Sequence, residues 1–374
     1  MSVLYRYKNF IFIDHKEFIT KIYENTNRNS EDSQIVEKQC FTLTGRIFSI
    51  RNNKEKYFER KKRTRESDKM LDEASKIKQM YHEFIKNLPL KTKDDLNSCN
   101  LLETSDVRDL AKKYFESTVF DHNGLSGGNN SELALKCKVK DDYFLFPKYS
   151  KFFCGCVKEK CKNLIGNKYD IVIADPPWWN KYIRRLKHAN DKLGYSMMYN
   201  EDIASIPVKE LLTDNCIVAV WCTNAPSNIS AVKNIIFPAW GVEYITTWYW
   251  LKVTVDLEPL CDFGAGSRKQ PYERIILGTV GNVNVPKDCL VTSIPSALHS
   301  HKPPLLDLLS PYVNKDNPQI LELFARYLLP NTTSVGYEPL KWQHVSFLDK
   351  PSQIQTCGED GLTCIGLLVL MAIQ

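Results

Sequence analysis

Tyr169-Asp170-Ile171-Val172-Ile173-Ala174-Asp175-Pro176-Pro177-Trp178 is the stretch from which the fold of this chain is read. Its first half is a nearly continuous apolar run rich in β-branched residues, the pattern of a buried parallel strand. Its second half stops that strand abruptly. Pro176 and Pro177 cannot donate to a ladder, and each restricts the residue before it to extended backbone. One carboxylate, Asp175, is thereby left at the carboxyl end of a central strand, where open α/β sheets place their ligand crevices. Beside it come the free carbonyls of a stiff loop and the large ring of Trp178.

This set suits one kind of chemistry. An exocyclic amine on a nucleobase is a poor nucleophile because its lone pair is delocalised into the ring. A carboxylate and a proline carbonyl both accept from the amino hydrogens, favouring the tetrahedral geometry in which the lone pair faces an electrophile. The Trp178 ring can stack on the base and hold it in line, a proximity effect. No base of high pKa is needed when the proton leaves after the carbon–nitrogen bond forms. The competing reading is a sheet that ends in a proline turn with a buried tryptophan.

The chain has 374 residues, enough for one large or two modest domains. Its 43% hydrophobic and 25% charged content is that of an ordinary globular protein, and a net charge of +6 permits nucleic-acid binding without demanding it. Twelve cysteines occur without an N-terminal secretory pattern, so reduced thiols and a cytosolic or nuclear setting are expected. Cys154, Cys156 and Cys161 lack zinc spacing, and no Cys-x-x-Cys occurs, so no metal is expected. The apolar run from Gly361 to Ile373 is far shorter than the roughly 20 residues a bilayer span requires.

Around the central stretch the chain divides into an N-terminal accessory region (1–145), a catalytic region (146–350) and a tail of unassigned role (351–374). In the first, Phe10-Ile11-Phe12-Ile13 and Phe41-Thr42-Leu43 read as a small β element. Arg60-Lys61-Lys62-Arg63-Thr64-Arg65 is a basic block whose readings are nuclear import, phosphate contact or a solvated helix start. A helix follows, with Met70, Leu71, Ile77, Met80, Tyr81, Phe84 and Ile85 on one face and Pro89 as its stop. A second helical stretch is expected near Ser105–Ser117. Asn123 to Asn130 reads as a flexible loop, with the domain boundary placed after it, near residue 145.

Beyond Trp178, the segment 181–192 carries Lys181, Arg184, Arg185, Lys187 and Lys192, which suits a phosphate backbone; the alternative is a solvated loop. Cys216–Cys222, Val242–Lys252 and Ile275–Leu277 read as strands, and Ala231–Phe237 as helical. Trp248 and Trp250 share one strand face, with core packing as their default role. Asp256–Arg268 is expected to form a loop over the site. Ile320-Leu321-Glu322-Leu323 reads as a strand entering a turn. No Gly-x-Gly-x-x-Gly occurs, so there is no case for a dinucleotide.

Asp175-Pro176-Pro177-Trp178 after a hydrophobic strand resembles the signature of the eukaryotic N(6)-adenine methyltransferases, the family of the mRNA adenosine methyltransferase. Further motifs arrive in the family's order and are closer to one of its branches. They are Asn180-Lys181, Trp248-Tyr249-Trp250-Leu251-Lys252, Lys269-Gln270-Pro271-Tyr272-Glu273, His299-Ser300-His301-Lys302-Pro303-Pro304-Leu305, Leu321-Glu322-Leu323-Phe324-Ala325-Arg326 and Leu340-Lys341-Trp342-Gln343-His344. The resemblance covers about residues 150–345.

The resemblance implies an α/β fold: a Rossmann-like methyltransferase sheet with permuted motif order, beside a smaller mixed N-terminal domain. It implies S-adenosylmethionine as methyl donor and adenine in nucleic acid as acceptor. In that branch the acceptor is U2 small nuclear RNA at a 2′-O-methylated adenosine, with DNA adenine second, and the setting is the nucleus. Asp175, Pro176, Pro177 and Trp178 carry over as catalytic residues, and Val157, Asp175, Lys302, Arg326 and Glu338 as cofactor contacts. Lys302 is expected on the methionine carboxylate, Arg326 on the ribose and the Val157 backbone on the adenine. Asn180, Lys181, Arg184, Arg185 and Glu273 are the expected substrate contacts. The chain departs from the branch pattern on the cofactor side, with Cys156, Tyr327 and Tyr337 where Asp, Asn and Asn are usual, and without the tryptophans expected near Thr332 and Val335. Those departures leave a non-catalytic nucleic-acid-binding scaffold of the same fold as the alternative. A third reading, methylation of a protein glutamine amide, fits a motif that begins with Asn rather than Asp.

Overall fold

The computed structural model describes residues 3–23, 65–97, 109, 122–179, 197–263, 270–296, 298 and 300–344. Thirteen strands are found among them: β1 Val3–Tyr7, β2 Phe10–Ile13, β3 Ser126–Asn129, β4 Leu135–Val139, β5 Asp142–Phe146, β6 Ser150–Cys154, β7 Tyr169–Ala174, β8 Leu212–Cys222, β9 Glu243–Lys252, β10 Tyr272–Val280, β11 Leu290–Ser293, β12 Ile320–Leu323 and β13 Thr332–Gly336. Eleven of them form one sheet in the order β1-β2-β11-β9-β10-β8-β7-β12-β13-β6-β3, and β4 and β5 make a separate hairpin. The sheet is mostly parallel. The run β8-β7-β12-β13-β6 is parallel throughout, whereas β10 pairs antiparallel with both β8 and β9.

All six residues of β7 are buried, as its unbroken apolar run requires of a strand covered on both faces. The pleat sends alternate residues to opposite sides. Ile171 and Ile173 enter a core with Trp221, Trp248, Trp250, Ile275 and Leu305. Val172 and Ala174 enter a second core with Val218, Val220, Leu321, Leu323 and Trp240. At its start β7 is pinned by Asp170, whose carboxylate accepts from Lys315 Nζ at 2.7 Å and from the Gln319 backbone N–H at 2.9 Å. The helical segment expected at 231–237 is longer, running from Pro226 to Trp240 with a π-helical stretch at Val232–Ile236.

Two expectations change. The segment Asn123–Asn130 is not a loose linker, because Ser126–Asn129 pairs antiparallel with β6 as the edge strand β3. Its glycines are what permit this: a Cβ on Gly128 would lie 2.2 Å from the Ser150 carbonyl oxygen, so only glycine lets the two backbones approach. A boundary at residue 145 also fails to separate two sheets, since β1 and β2 join the large sheet through β11 and β3 joins it through β6.

The long helix Arg65–Asn87 ends two residues before Pro89 and buries Ala74, Ile77 and Phe84. It packs in a third core with Phe10, Phe12, Tyr249, Leu251 and Tyr272. Glu73 of this helix accepts from the Tyr249 hydroxyl at 2.6 Å and is ion-paired with Arg274, a side chain only 2% exposed. Arg60–Thr64, the helical stretch expected at 105–117 (Asp109 aside) and the tail 351–374 lie outside the described residues.

Candidate active site

The parallel strands place their carboxyl ends side by side. From β7 the chain leaves toward β8 on one side, whereas from β12 it leaves toward β13 on the other. A crevice therefore opens beyond the ends of β7 and β12, as expected at a topological switch point. It holds a cavity of about 290 Å³ lined by turns that follow four parallel strands: Cys156-Val157 after β6, Pro177 after β7, Phe324-Ala325-Arg326 after β12 and Tyr337-Glu338 after β13. Met197, Met198 and Asp202 close one side. The turn after β12 is tight. Phe324 adopts φ 63°, and a Cβ on Gly336 would meet Ala325 N and O at 3.0 and 3.1 Å, so glycine there keeps Arg326 close to the end of β13.

Asp175 stands at the centre of an alternating chain of charges. Arg326 Nη1 donates to its Oδ2, and Lys302 Nζ lies 3.7 Å from its Oδ1. On one side Lys302 donates to Glu273 Oε2 at 2.8 Å, and Lys252 donates to Glu273 Oε1. On the other side Arg326 Nε lies 3.8 Å from Glu338 Oε2, and Lys341 donates to both oxygens of Glu338 at 3.0 and 3.1 Å. Four cations thus alternate with three carboxylates. Burial opposes ionisation of Glu273, yet Lys252 and Lys302 hold its carboxyl well below the usual carboxylate range. Burial likewise disfavours the charged form of Lys302, but Asp175 and Glu273 raise its pKa.

The proline turn is wired to its neighbours. Pro176 O accepts from Trp178 N–H at 2.8 Å, and Pro177 O accepts from Met198 N–H at 3.0 Å. A carbonyl oxygen has two lone pairs, so each can accept one further hydrogen bond. Trp178 corrects its expectation. Its ring is only 7% exposed, packs in the core with Val172, Val220 and Ile203, and donates from Nε1 to the Trp221 carbonyl at 3.0 Å. A ring so enclosed anchors the turn and presents no face to a base. Trp248 and Trp250 are core residues too, donating to Pro286 O at 2.7 Å and Ser293 Oγ at 2.8 Å.

The structure brings Asp175, Lys302, Arg326, Glu273 and Glu338 into one network, with Val157, Arg326 and Glu338 lining the cavity. Asn180, Lys181, Arg184 and Arg185 lie outside the described residues, as do Lys269 and His299 of the quoted motifs. Three members of the site escaped the sequence reading. Lys252 and Lys341 were visible only as parts of motifs. Glu322, one place before Leu323 in β12, has its pKa raised to about 8 by burial and then by Asp175, partly offset by Arg326. The departures are placed as well: Cys156 and Tyr337 line the cavity mouth, and the Tyr327 hydroxyl donates to Lys302 O at 2.7 Å.

The donor set suits a sulfonium nucleoside with a carboxylate tail. Glu338 offers a buried carboxylate to ribose hydroxyls, Arg326 offers a cation, Val157, Phe324 and Met198 supply apolar walls, and Lys302 adds a second cation beside Asp175. The cavity is at the lower end of the range of about 300–1,000 Å³ typical of small-molecule sites. Among the described residues no cluster able to hold a metal is present, and no helix is long and apolar enough to cross a membrane.

With this turn at the crevice of this sheet, the chain resembles nucleic-acid adenine methyltransferases: residues 169–338 match the MT-A70 family model. The particular likeness is to N(6)-adenine-specific methyltransferase METTL4 of Homo sapiens, methyltransferase-like protein 4, the branch anticipated from the motifs. It is 34% identical over 235 residues, 59% of this chain and 48% of that protein. A DNA N6-methyl methyltransferase of Caenorhabditis elegans is 38% identical over 213 residues, 54% of this chain and 55% of that protein. An N6-methyladenosine RNA methyltransferase MTA1 of Cryphonectria parasitica is 32% identical over 209 residues, 54% of this chain and 61% of that one. The chain thus spans between 48% and 61% of the length of these relatives.

Proposed function

We propose that this protein is an S-adenosylmethionine-dependent N(6)-adenine methyltransferase acting on nucleic acid. The observation that carries the reading is the orientation of Asp175 at the end of β7, with Arg326 and Lys302 beside its two oxygens and a cavity lined by Pro177 and Arg326 next to it. The cofactor supplies an activated methyl group when bound. Glu338 and Arg326 would hold its ribose, Lys302 its carboxylate, and the backbone at Val157 its adenine. Asp175 accepts a hydrogen bond from the target amine, and the second lone pair of the Pro176 or Pro177 carbonyl accepts the other. This turns the amine lone pair toward the cavity and excludes water from it. The buried Trp178 keeps the two prolines in place. Glu273, held ionised by Lys252 and Lys302, is the polar contact on the acceptor side.

The substrate is read as U2 small nuclear RNA at a 2′-O-methylated adenosine, with DNA adenine second and the nucleus as the setting. The order of the motifs is read as permuted, with the acceptor strand β7 before the cofactor strand β12. The names of the relatives support nucleic acid as acceptor, since one acts on DNA and another on RNA.

The test is transfer of isotope-labelled methyl from S-adenosylmethionine to matched oligonucleotides: a U2-type RNA with and without the 2′-O-methyl group, and a DNA of the same sequence. Label in adenine, highest in the 2′-O-methylated RNA and lost with Asp175→Ala, is the expected result. Label highest in DNA would overturn the substrate assignment. No label together with no cofactor binding by calorimetry would overturn the reading and leave the scaffold alternative.

A further inference from the structure

Trp178 is enclosed, but the next residue is not. Trp179 is half-buried, and its ring stacks on Tyr199 with centroids 6.2 Å apart and planes within 17° of parallel. Tyr199 is 59% exposed. The pairing is built rather than incidental. Trp178 and Met198 form a parallel backbone bridge, closed by the hydrogen bond from Met198 N–H to Pro177 O at 3.0 Å, and Trp179 and Tyr199 are the residues that follow on each side. Tyr199 is itself held at the start of the helix Asn200–Ala204, its N–H donating to Asp202 at 3.4 Å. Two large rings are therefore kept near parallel, Tyr199 exposed and Trp179 half-buried four residues from Asp175. Neither ring belongs to the core cluster that holds Trp178 and Ile203.

Parallel aromatic faces at a wet surface are the general means of gripping single-stranded nucleic acid, since every base offers a π-face. Charge points the same way: the sequence joining the two rings contains five Lys or Arg and one Asp. We infer that Trp179 and Tyr199 form a stacking platform for an unpaired base of the substrate strand, beside the target adenine. The inference rests on the methyltransferase reading for the neighbouring site but concerns binding alone. It assigns to Trp179 the stacking role that burial denies to Trp178. It also requires the substrate to be single-stranded at the platform, because a paired and stacked base exposes no face.

The experiment uses the full chain, a single-stranded oligoadenylate RNA and an abasic strand of the same length and charge, with affinity read by fluorescence anisotropy. The expected result is that the base-bearing strand binds about tenfold more tightly than the abasic one. That preference should vanish in Trp179→Ala and Tyr199→Ala and persist in Trp179→Phe, with abasic binding unchanged throughout. Thermal unfolding identifies any variant that fails to fold, and Tyr199→Ala, at an exposed position, keeps the test decisive if Trp179→Ala is lost. Equal binding of both strands by the unmodified protein, or an unaltered preference in folded variants, would overturn the platform. If methyl transfer is absent while the preference and its loss are observed, the platform stands and the enzyme reading falls; the reverse result separates them equally well.

Discussion

Two arms of charge leave Asp175, and they are built differently. The arm through Lys302, Glu273 and Lys252 lies against the antiparallel part of the sheet, and its side chains remain 17–25% exposed. Each lysine there also faces an indole, Lys302 at 5.6 Å from the Trp221 ring and Lys252 at 4.6 Å from the Trp250 ring. The arm through Arg326, Glu338 and Lys341 is only 4–9% exposed, and its first two members line the cavity. Burial disfavours the charged form of Lys341 and lowers its pKa, with Glu338 opposing the shift. The first arm thus meets solvent, whereas the second is dry and faces a preformed cavity. Polar contacts are worth more in the dry arm because the local dielectric is low. On the proposed reading the cofactor's nucleoside belongs there, Lys302 at the junction with Asp175 reaches its carboxylate, and Glu273 and Lys252 on the wetter side face the substrate.

Removing the junction should have the largest effect. Asp175→Ala should lower turnover by about 10³-fold, the scale on which a single oriented polar contact to the reacting group acts. Folding should be largely spared, because Lys302 keeps Glu273 and Arg326 keeps Glu338 as partners. Single-turnover transfer and thermal unfolding on the same preparation check both halves. A turnover loss explained wholly by unfolding would deny Asp175 its role.

The wet arm also depends on the N-terminal helix. Arg274, next to Glu273 in β10, is buried between Glu73 of that helix and Asn224 Oδ1. Glu73→Ala leaves a buried guanidinium without its carboxylate and should cost about 3 kcal/mol in urea unfolding. Its effect on activity should fall on the acceptor strand, through Glu273, and spare cofactor affinity. The two arms themselves are told apart by a matched pair. Glu338→Gln should weaken S-adenosylmethionine about tenfold in calorimetry, the value of a hydrogen bond to a charged group. Glu273→Gln should leave that affinity within about twofold and raise KM for the oligonucleotide. The opposite pattern would exchange the roles of the arms.

How much of this the sequence disclosed follows from the range over which each interaction acts. The strand β7, the turn after it and Asp175 at its end are local, written in consecutive residues, and they are found where expected. Lys302, Arg326 and Glu338 rested on resemblance; the structure gathers Arg326 and Glu338 because β12 and β13 run parallel to β7, and Lys302 joins them from the segment after β11 through Asp175 and Glu273. Trp178 and Trp179 are adjacent and chemically identical in sequence, and it takes the bridge to Met198 and the bond from Trp178 Nε1 to the Trp221 carbonyl, both long-range, to show which is buried. Gly127 and Gly128 read as flexibility because a close backbone approach leaves no signature apart from the missing side chain. The clamp between Glu73 and Arg274 spans 201 residues, so no local pattern announces it.

Glu322 belongs to neither arm and yields the smallest effect. Its carboxyl, behind Asp175 and Arg326 and near Tyr327, is raised from the ordinary 4.5 to about 8, chiefly by burial. In the folded protein it therefore keeps its proton over a range in which the unfolded chain has lost it. The folded state binds more protons there, so its contribution to stability is full below the unfolded pKa and declines as pH rises through the folded value. Thermal midpoints should accordingly fall by a few degrees between about pH 5 and pH 8. Glu322→Gln, neutral at every pH, should flatten that part of the profile and raise the midpoint at its alkaline end. A slope unchanged by the substitution would mean that Glu322 is already ionised, bringing a second carboxylate into competition with Asp175 for Arg326. The dry arm would then be neutralised more fully than the wet one.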